Sequence, residues 1–99
     1  MVEATKTPIV NRPEYIIYLE YFSNIYWLHT DVFKWSSEVK KKYLKELDTL
    51  QSLLNTNLYS LIEEENTKLS KYAKVIGFKY LRDLQGNDGN SYKIYTRSL

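Results

Sequence analysis

Val39, Tyr43, Leu47, Leu50 and Leu54 recur at steps of three and four residues and draw one apolar stripe along a long helix. A helix with a single stripe has to bury it against another layer. The segment before it can supply that layer. From Glu14 to Phe33 the composition turns to Tyr, Ile, Leu, Phe, Trp and Val, types that suit a pleated surface, with one break at Ser23-Asn24. This predicts a β-hairpin whose turn lacks glycine, with Asn24 the residue that best tolerates a left-handed backbone.

Trp35-Ser36-Ser37 opens the helix, and Ser36 or Ser37 is the natural N-cap. Its other face carries Lys40, Lys41, Lys42, Lys45 and Glu46, with Glu38 and Lys42 four apart as a weak supporting pair. Asn55-Thr56-Asn57 breaks the pattern, Leu58 to Ile62 reads as a short buried strand, and Glu63-Glu64-Glu65 ends it. A second helix is predicted from near Asn66, with Leu69, Tyr72, Ala73 and Ile76 on one face, stopping at Gly77. Phe78 to Leu84 and Tyr92 to Arg97 form a closing hairpin with turn chemistry at Asp88-Gly89.

Residues 1–13 hold two prolines and show neither period, so a flexible arm is expected there, followed by a single domain over 14–99. The predicted class is α+β, in the order β-β-α-β-α-β-β, with a mixed, mostly antiparallel sheet flanked by two helices.

Ninety-nine residues at 43% hydrophobic content suffice for one core only, and ten tyrosines with two tryptophans leave aromatic surface for a protein partner or self-association. The absence of cysteine removes disulfides, thiolate metal sites and thiol nucleophiles, and fits a reducing cytoplasm. No apolar run approaches the roughly 20 residues of a membrane span, and the first thirteen residues lack the apolar run of a signal peptide. Neither secretion nor membrane insertion is expected. A net charge of +2 is far from a basic balance that would itself indicate nucleic acid.

Local chemistry offers four candidate groups. His29 and Asp31 alternate on one strand and so share a face, the arrangement of a base and its orienting partner, or of an ordinary polar edge. With no second His and no Cys, a metal site is not expected. Lys40, Lys41, Lys42 and Lys45 could meet phosphates, with Trp27 and Trp35 stacking on bases, but a solvated helix face explains the lysines as well. Glu63 to Glu65 suit the positive end of the following helix, and Gly86 to Asn90 lack the spacing of a calcium loop.

The run Asn66-Thr67-Lys68-Leu69-Ser70-Lys71-Tyr72-Ala73-Lys74-Val75-Ile76-Gly77-Phe78 resembles the closing half of a GNAT acetyltransferase domain. There, a helix opens with asparagine and ends in Gly-Phe before a strand hairpin. The resemblance covers roughly Ile25 to Arg97 and implies a truncated GNAT-like fold, with acetyl-CoA as the cofactor if the chain is an enzyme. It also places a pyrophosphate-binding turn at Lys34 to Val39. That turn normally carries glycines, so that backbone N–H groups can reach the phosphates. Here it reads Trp35, Ser36, Ser37, Glu38 and Val39, with no glycine and an acid in the first helical turn. The general-acid tyrosine of the superfamily falls on Ala73, and Tyr72 is displaced by about 100° around the helix. If CoA binds, those five residues and Asn66 would hold it, with Tyr72 or His29 as the nearest catalytic substitutes. The front elements of a full GNAT domain look reduced to Glu14 to Phe22, so an acceptor pocket would come from another subunit.

The sequence is also similar to small GNAT-like proteins of short-tailed bacteriophages, among them an internal virion protein, through Trp35-Ser36, Lys40-Lys41-Lys42, Ile76-Gly77 and Asp88-Gly89. That likeness implies a phage protein of the host cytoplasm or virion. The leading expectation is a non-catalytic protein acting through protein contacts. A CoA-dependent N-acetyltransferase is the first alternative and a nucleic-acid accessory protein the second. The enzyme reading requires two adjacent strands to splay apart beside the long helix, the protein-contact reading permits a closed sheet with a broad aromatic patch, and the nucleic-acid reading predicts affinity that falls steeply with salt.

Overall fold

The computed structural model describes residues 6–99. In chain order the elements are β1 (Thr7–Asn11), β2 (Tyr15–Phe22), β3 (Ile25–Val32), α1 (Ser37–Leu54), β4 (Leu58–Glu63), α2 (Thr67–Val75), β5 (Lys79–Gln85) and β6 (Ser91–Arg97). The six strands form one sheet in the order β1-β2-β3-β4-β6-β5, antiparallel throughout except where β3 meets β4. The class is α+β, and the predicted order β-β-α-β-α-β-β runs from β2 to β6.

The expected arm differs in part. Residues 1–5 lie outside the described residues, but Thr7–Asn11 pair with β2 as β1. Pro8 hid this strand, since proline cannot donate to a ladder and is confined to edges, and β1 is an edge. The ladder is bulged between Pro8 and Val10, and β5 at the opposite edge is bulged between Tyr80 and Arg82. Both free edges are therefore irregular, a common guard against edge-to-edge pairing.

The register places Tyr15, Ile17, Leu28, Leu58, Ile62 and Tyr95 on one face, where they form the core with Tyr43 and Leu47 of α1 and Ala73 of α2. Ser36 caps α1 by accepting from the Val39 N–H at 3.2 Å, and Asn66 caps α2 by accepting from the Leu69 N–H at 3.1 Å. At the far end Gln51 is buried, its side-chain nitrogen donating to the Arg97 carbonyl at 2.9 Å while the Arg97 guanidinium donates back to its oxygen. Arg97 Nε also donates to the Ile76 carbonyl at 2.9 Å. A side chain at Gly77 would meet that same guanidinium at 3.1 Å, and φ there is +97°, so both space and backbone ask for glycine. Ile16, Tyr18, Trp27, His29 and Tyr59 point to the other face, over which no described helix lies.

Ser23 and Asn24 both have positive φ, 55° and 65°, between the paired Phe22 and Ile25, the signature of a two-residue type I′ turn. Serine is a poor occupant of that conformation. Ser23→Gly is expected to raise the unfolding free energy by about 0.5–1 kcal/mol, the left-handed relief less glycine's extra chain entropy. The readout is a higher urea midpoint at unchanged slope; a lower midpoint would rule out the turn type.

Candidate functional site

The single parallel junction of the sheet is short. β3 and β4 pair only at Tyr26–Leu58 and Trp27–Tyr59, near their starts. Beyond that, β3 stays on β2 along its whole length and β4 stays on β6, so each strand follows its antiparallel partner and the two part company. Leu28 to Asp31 and Ser60 to Ile62 then line a cavity of about 180 Å³. Successive strand residues face opposite sides, so a lining that includes both Leu28 and His29 marks a gap through the sheet itself.

At the wide end, the connector from β3 to α1 and the start of α2 enclose a larger pocket of about 510 Å³, lined by Phe33, Lys34, Trp35, Asn66, Lys68 and Leu69 among others. Tyr72 reaches both spaces. The Trp35 ring stands edge-on to Tyr72, with centroids 5.0 Å apart, and to Tyr43 at 6.0 Å, so the protein's own aromatics stand where the gap opens.

Tyr72 and Ala73 both line the gap, and the expected displacement does not carry Tyr72 out of it. The long phenol arm spans what the backbone rotation loses. Its hydroxyl is buried and has no hydrogen-bond partner, while the neighbouring Tyr43 hydroxyl is engaged with Thr30 Oγ1 at 2.6 Å. Burial pushes the Tyr72 phenol well above its ordinary range and lifts that of Tyr43 to about 12. At neutral pH both hold their protons, so Tyr72 has a hydrogen-bond donor to offer.

His29 also lines the gap, but its partner is not Asp31. Its Nε2 lies 2.7 Å from Glu20 Oε1 on β2, and Asp31 instead accepts from the Tyr18 hydroxyl at 2.9 Å. Both partners sit across the hairpin, where His29 faces Tyr18 in register. Same-strand spacing could not reveal this, whereas the hairpin register at Ser23-Asn24 would have. The gap thus joins His29 and Tyr72, and the mouth joins Trp35 and Asn66. Ser36, Ser37, Glu38 and Val39 line neither space.

The turn before α1 does not suit a pyrophosphate held in the usual GNAT manner. The Val39 N–H is already taken by Ser36 Oγ, Trp35 projects at the mouth, and Glu38 adds negative charge to the first helical turn. Of the lysine face, Lys42 pairs with Glu14 at 3.2 Å, and Lys41 and Lys45 are exposed. Glu63 ends β4 and Glu64 and Glu65 form the turn beyond it. Among the described residues no group of three His, Cys, Asp or Glu could hold a metal. No described helix is long and apolar enough to cross a membrane.

No protein-family model matches the chain, and no curated protein matches it. Among solved structures it is similar to a protein from Bordetella pertussis described as a GnaT-family acetyltransferase, with a TM-score of 0.66 and 14% identity over 86% of this chain. The chain spans 57% of that structure's length. At this identity the likeness concerns the fold, and the fold is GNAT-like: a shortened α+β sheet of six strands with two helices.

The orphaned hydroxyl gives a direct test. Tyr72→Phe removes an unsatisfied buried group and is expected to leave stability unchanged or raise it by about 1 kcal/mol, whereas Tyr43→Phe strands Thr30 and is expected to lower it by about 1 kcal/mol. Urea unfolding of the two variants reads the contrast, and equal losses would mean that Tyr72 is bonded after all.

Proposed function

We propose that this chain is a non-catalytic GNAT-like module that works through protein contacts, as a virion component or host-interaction factor of a phage. The supporting observation is the state of the cofactor route. The mouth is lined by Trp35 and Tyr72, both packed on the buried Tyr43, beside a glycine-free turn in which the Val39 amide serves the helix cap. The gap behind it narrows to about 180 Å³, against about 510 Å³ at the mouth. The sheet face opposite the helices carries the half-buried rings of Tyr18, Trp27 and Tyr59 without a helical cover, which suits a protein that meets partners. The phage attribution follows from the likeness of Trp35-Ser36, the three lysines from Lys40, Ile76-Gly77 and Asp88-Gly89 to the small phage proteins of this type.

A second reading has its own observation. The parted strands, with a partnerless Tyr72 hydroxyl and the His29–Glu20 pair in the gap, are what a CoA-dependent N-acetyltransferase would need: strand edges to take a pantetheine arm, a phenol to protonate the leaving thiolate, and an imidazole to take the amine proton.

Isothermal titration with acetyl-CoA and with CoA, at concentrations that detect millimolar affinity, separates the two. The protein-contact reading expects no saturable heat and no thermal shift. Saturable binding of acetyl-CoA would overturn it in favour of the transferase, with Tyr72→Phe and His29→Ala as the variants to follow.

A further inference from the structure

Four of the exposed large apolar side chains of the described residues, Val32, Phe33, Trp35 and Leu69, gather around the mouth pocket, with exposures of 40%, 61%, 40% and 38%. The two charges lining the same pocket are both positive, Lys34 and Lys68, and no carboxylate lines it. Of the cations on or beside α1, Arg12 pairs with Glu46, Lys42 with Glu14 and Arg97 with Asp48, while Lys40, Lys41 and Lys45 pair with no described carboxylate but line neither the gap nor the mouth. Among the described residues Lys34 and Lys68 pair with none. The opposite sheet face is different. Its central polar groups are bonded to one another, His29 with Glu20 and Tyr18 with Asp31.

We propose that the mouth of the β3–β4 gap docks an acidic segment of a partner protein, seating an apolar side chain against Phe33, Trp35 and Leu69 with carboxylates toward Lys34 and Lys68. This inference rests on the protein-contact reading above and names the chemistry of its partner. The pocket, at about 510 Å³, falls within the range that encloses a bound group. An aromatic floor with a charged rim is the usual anatomy of a small contact hot spot: the apolar anchor supplies affinity and the rim supplies steering and selection by sign.

The two tryptophans make the test internally controlled, because Trp35 stands at the mouth while Trp27 lies on the other sheet face with its indole nitrogen donating to the Phe22 carbonyl. The ¹⁵N-labelled protein is titrated with two blocked peptides, Asp-Glu-Phe-Glu-Asp and Lys-Arg-Phe-Arg-Lys, while both indole N–H signals are followed. The acidic peptide is expected to move the Trp35 signal and leave Trp27 in place, with an affinity that weakens as salt is added. The exposed double change Lys34→Glu with Lys68→Glu is expected to weaken that binding about fivefold or more, with the Trp27 signal unmoved as the mark of an intact sheet. Equal response to the basic peptide, movement of Trp27 in place of Trp35, or no movement of either signal would overturn the proposal. Such a result alongside silence in the acetyl-CoA titration would remove this surface and leave the protein-contact reading standing.

Discussion

Tyr43 holds the molecule together. It is fully buried on α1, meets Tyr15 of β2 edge-on at 5.1 Å, shares a hydrogen bond with Thr30 of β3, and packs against Trp35 of the connector and Tyr72 of α2. Four parts of the chain distant in sequence converge on one ring, and edge-on aromatic pairs add to the energy of the area they bury. Because Thr30 lies on the diverging part of β3, the same ring also braces the gap: one wall reaches Tyr43 by hydrogen bond and α2 reaches it by ring contact. The packing of the core and the shape of the mouth are one arrangement.

The second anchor works at the opposite end of α1. Gln51 and Arg97 exchange hydrogen bonds while Arg97 also holds the Ile76 carbonyl and Asp48, so the last strand, α1 and the end of α2 are tied to a single guanidinium. Between these anchors runs the connector Phe33 to Ser36, itself held by the Phe33 and Lys34 N–H groups donating to the Glu14 carbonyl and by Trp35 on Tyr43 and Tyr72. That is where this chain departs most from the glycine-bearing turn of the superfamily it resembles.

Much of this was legible in the sequence. The stripe from Val39 to Leu54, the caps at Ser36 and Asn66, the exit at Gly77 and the turn at Asp88-Gly89 are local signals, and they locate the helices and the closing hairpin to within a residue or two. Two features were hidden because they depend on distant pairing. β1 carries a proline and becomes a strand only because β2 is there to receive it. The partner of His29 is Glu20, nine residues earlier, and the two meet only once the hairpin register is set. Of the residues that line the gap and its mouth, His29 stood out by its type, whereas Tyr72, Trp35 and Asn66 came from the resemblance to GNAT domains; the parting of β3 and β4 has no local code and arises from how each strand keeps to its other neighbour.

The bulges at the two sheet edges bear on how copies of the protein can gather. An open, regular edge lets identical sheets join end to end without limit, and such head-to-tail addition makes filaments. Here β1 is interrupted beside Pro8 and β5 at Leu81, so neither border offers an uninterrupted run of donors and acceptors. Both borders of the sheet thus resist growth by strand addition, the route by which a single misplaced contact would otherwise propagate from copy to copy.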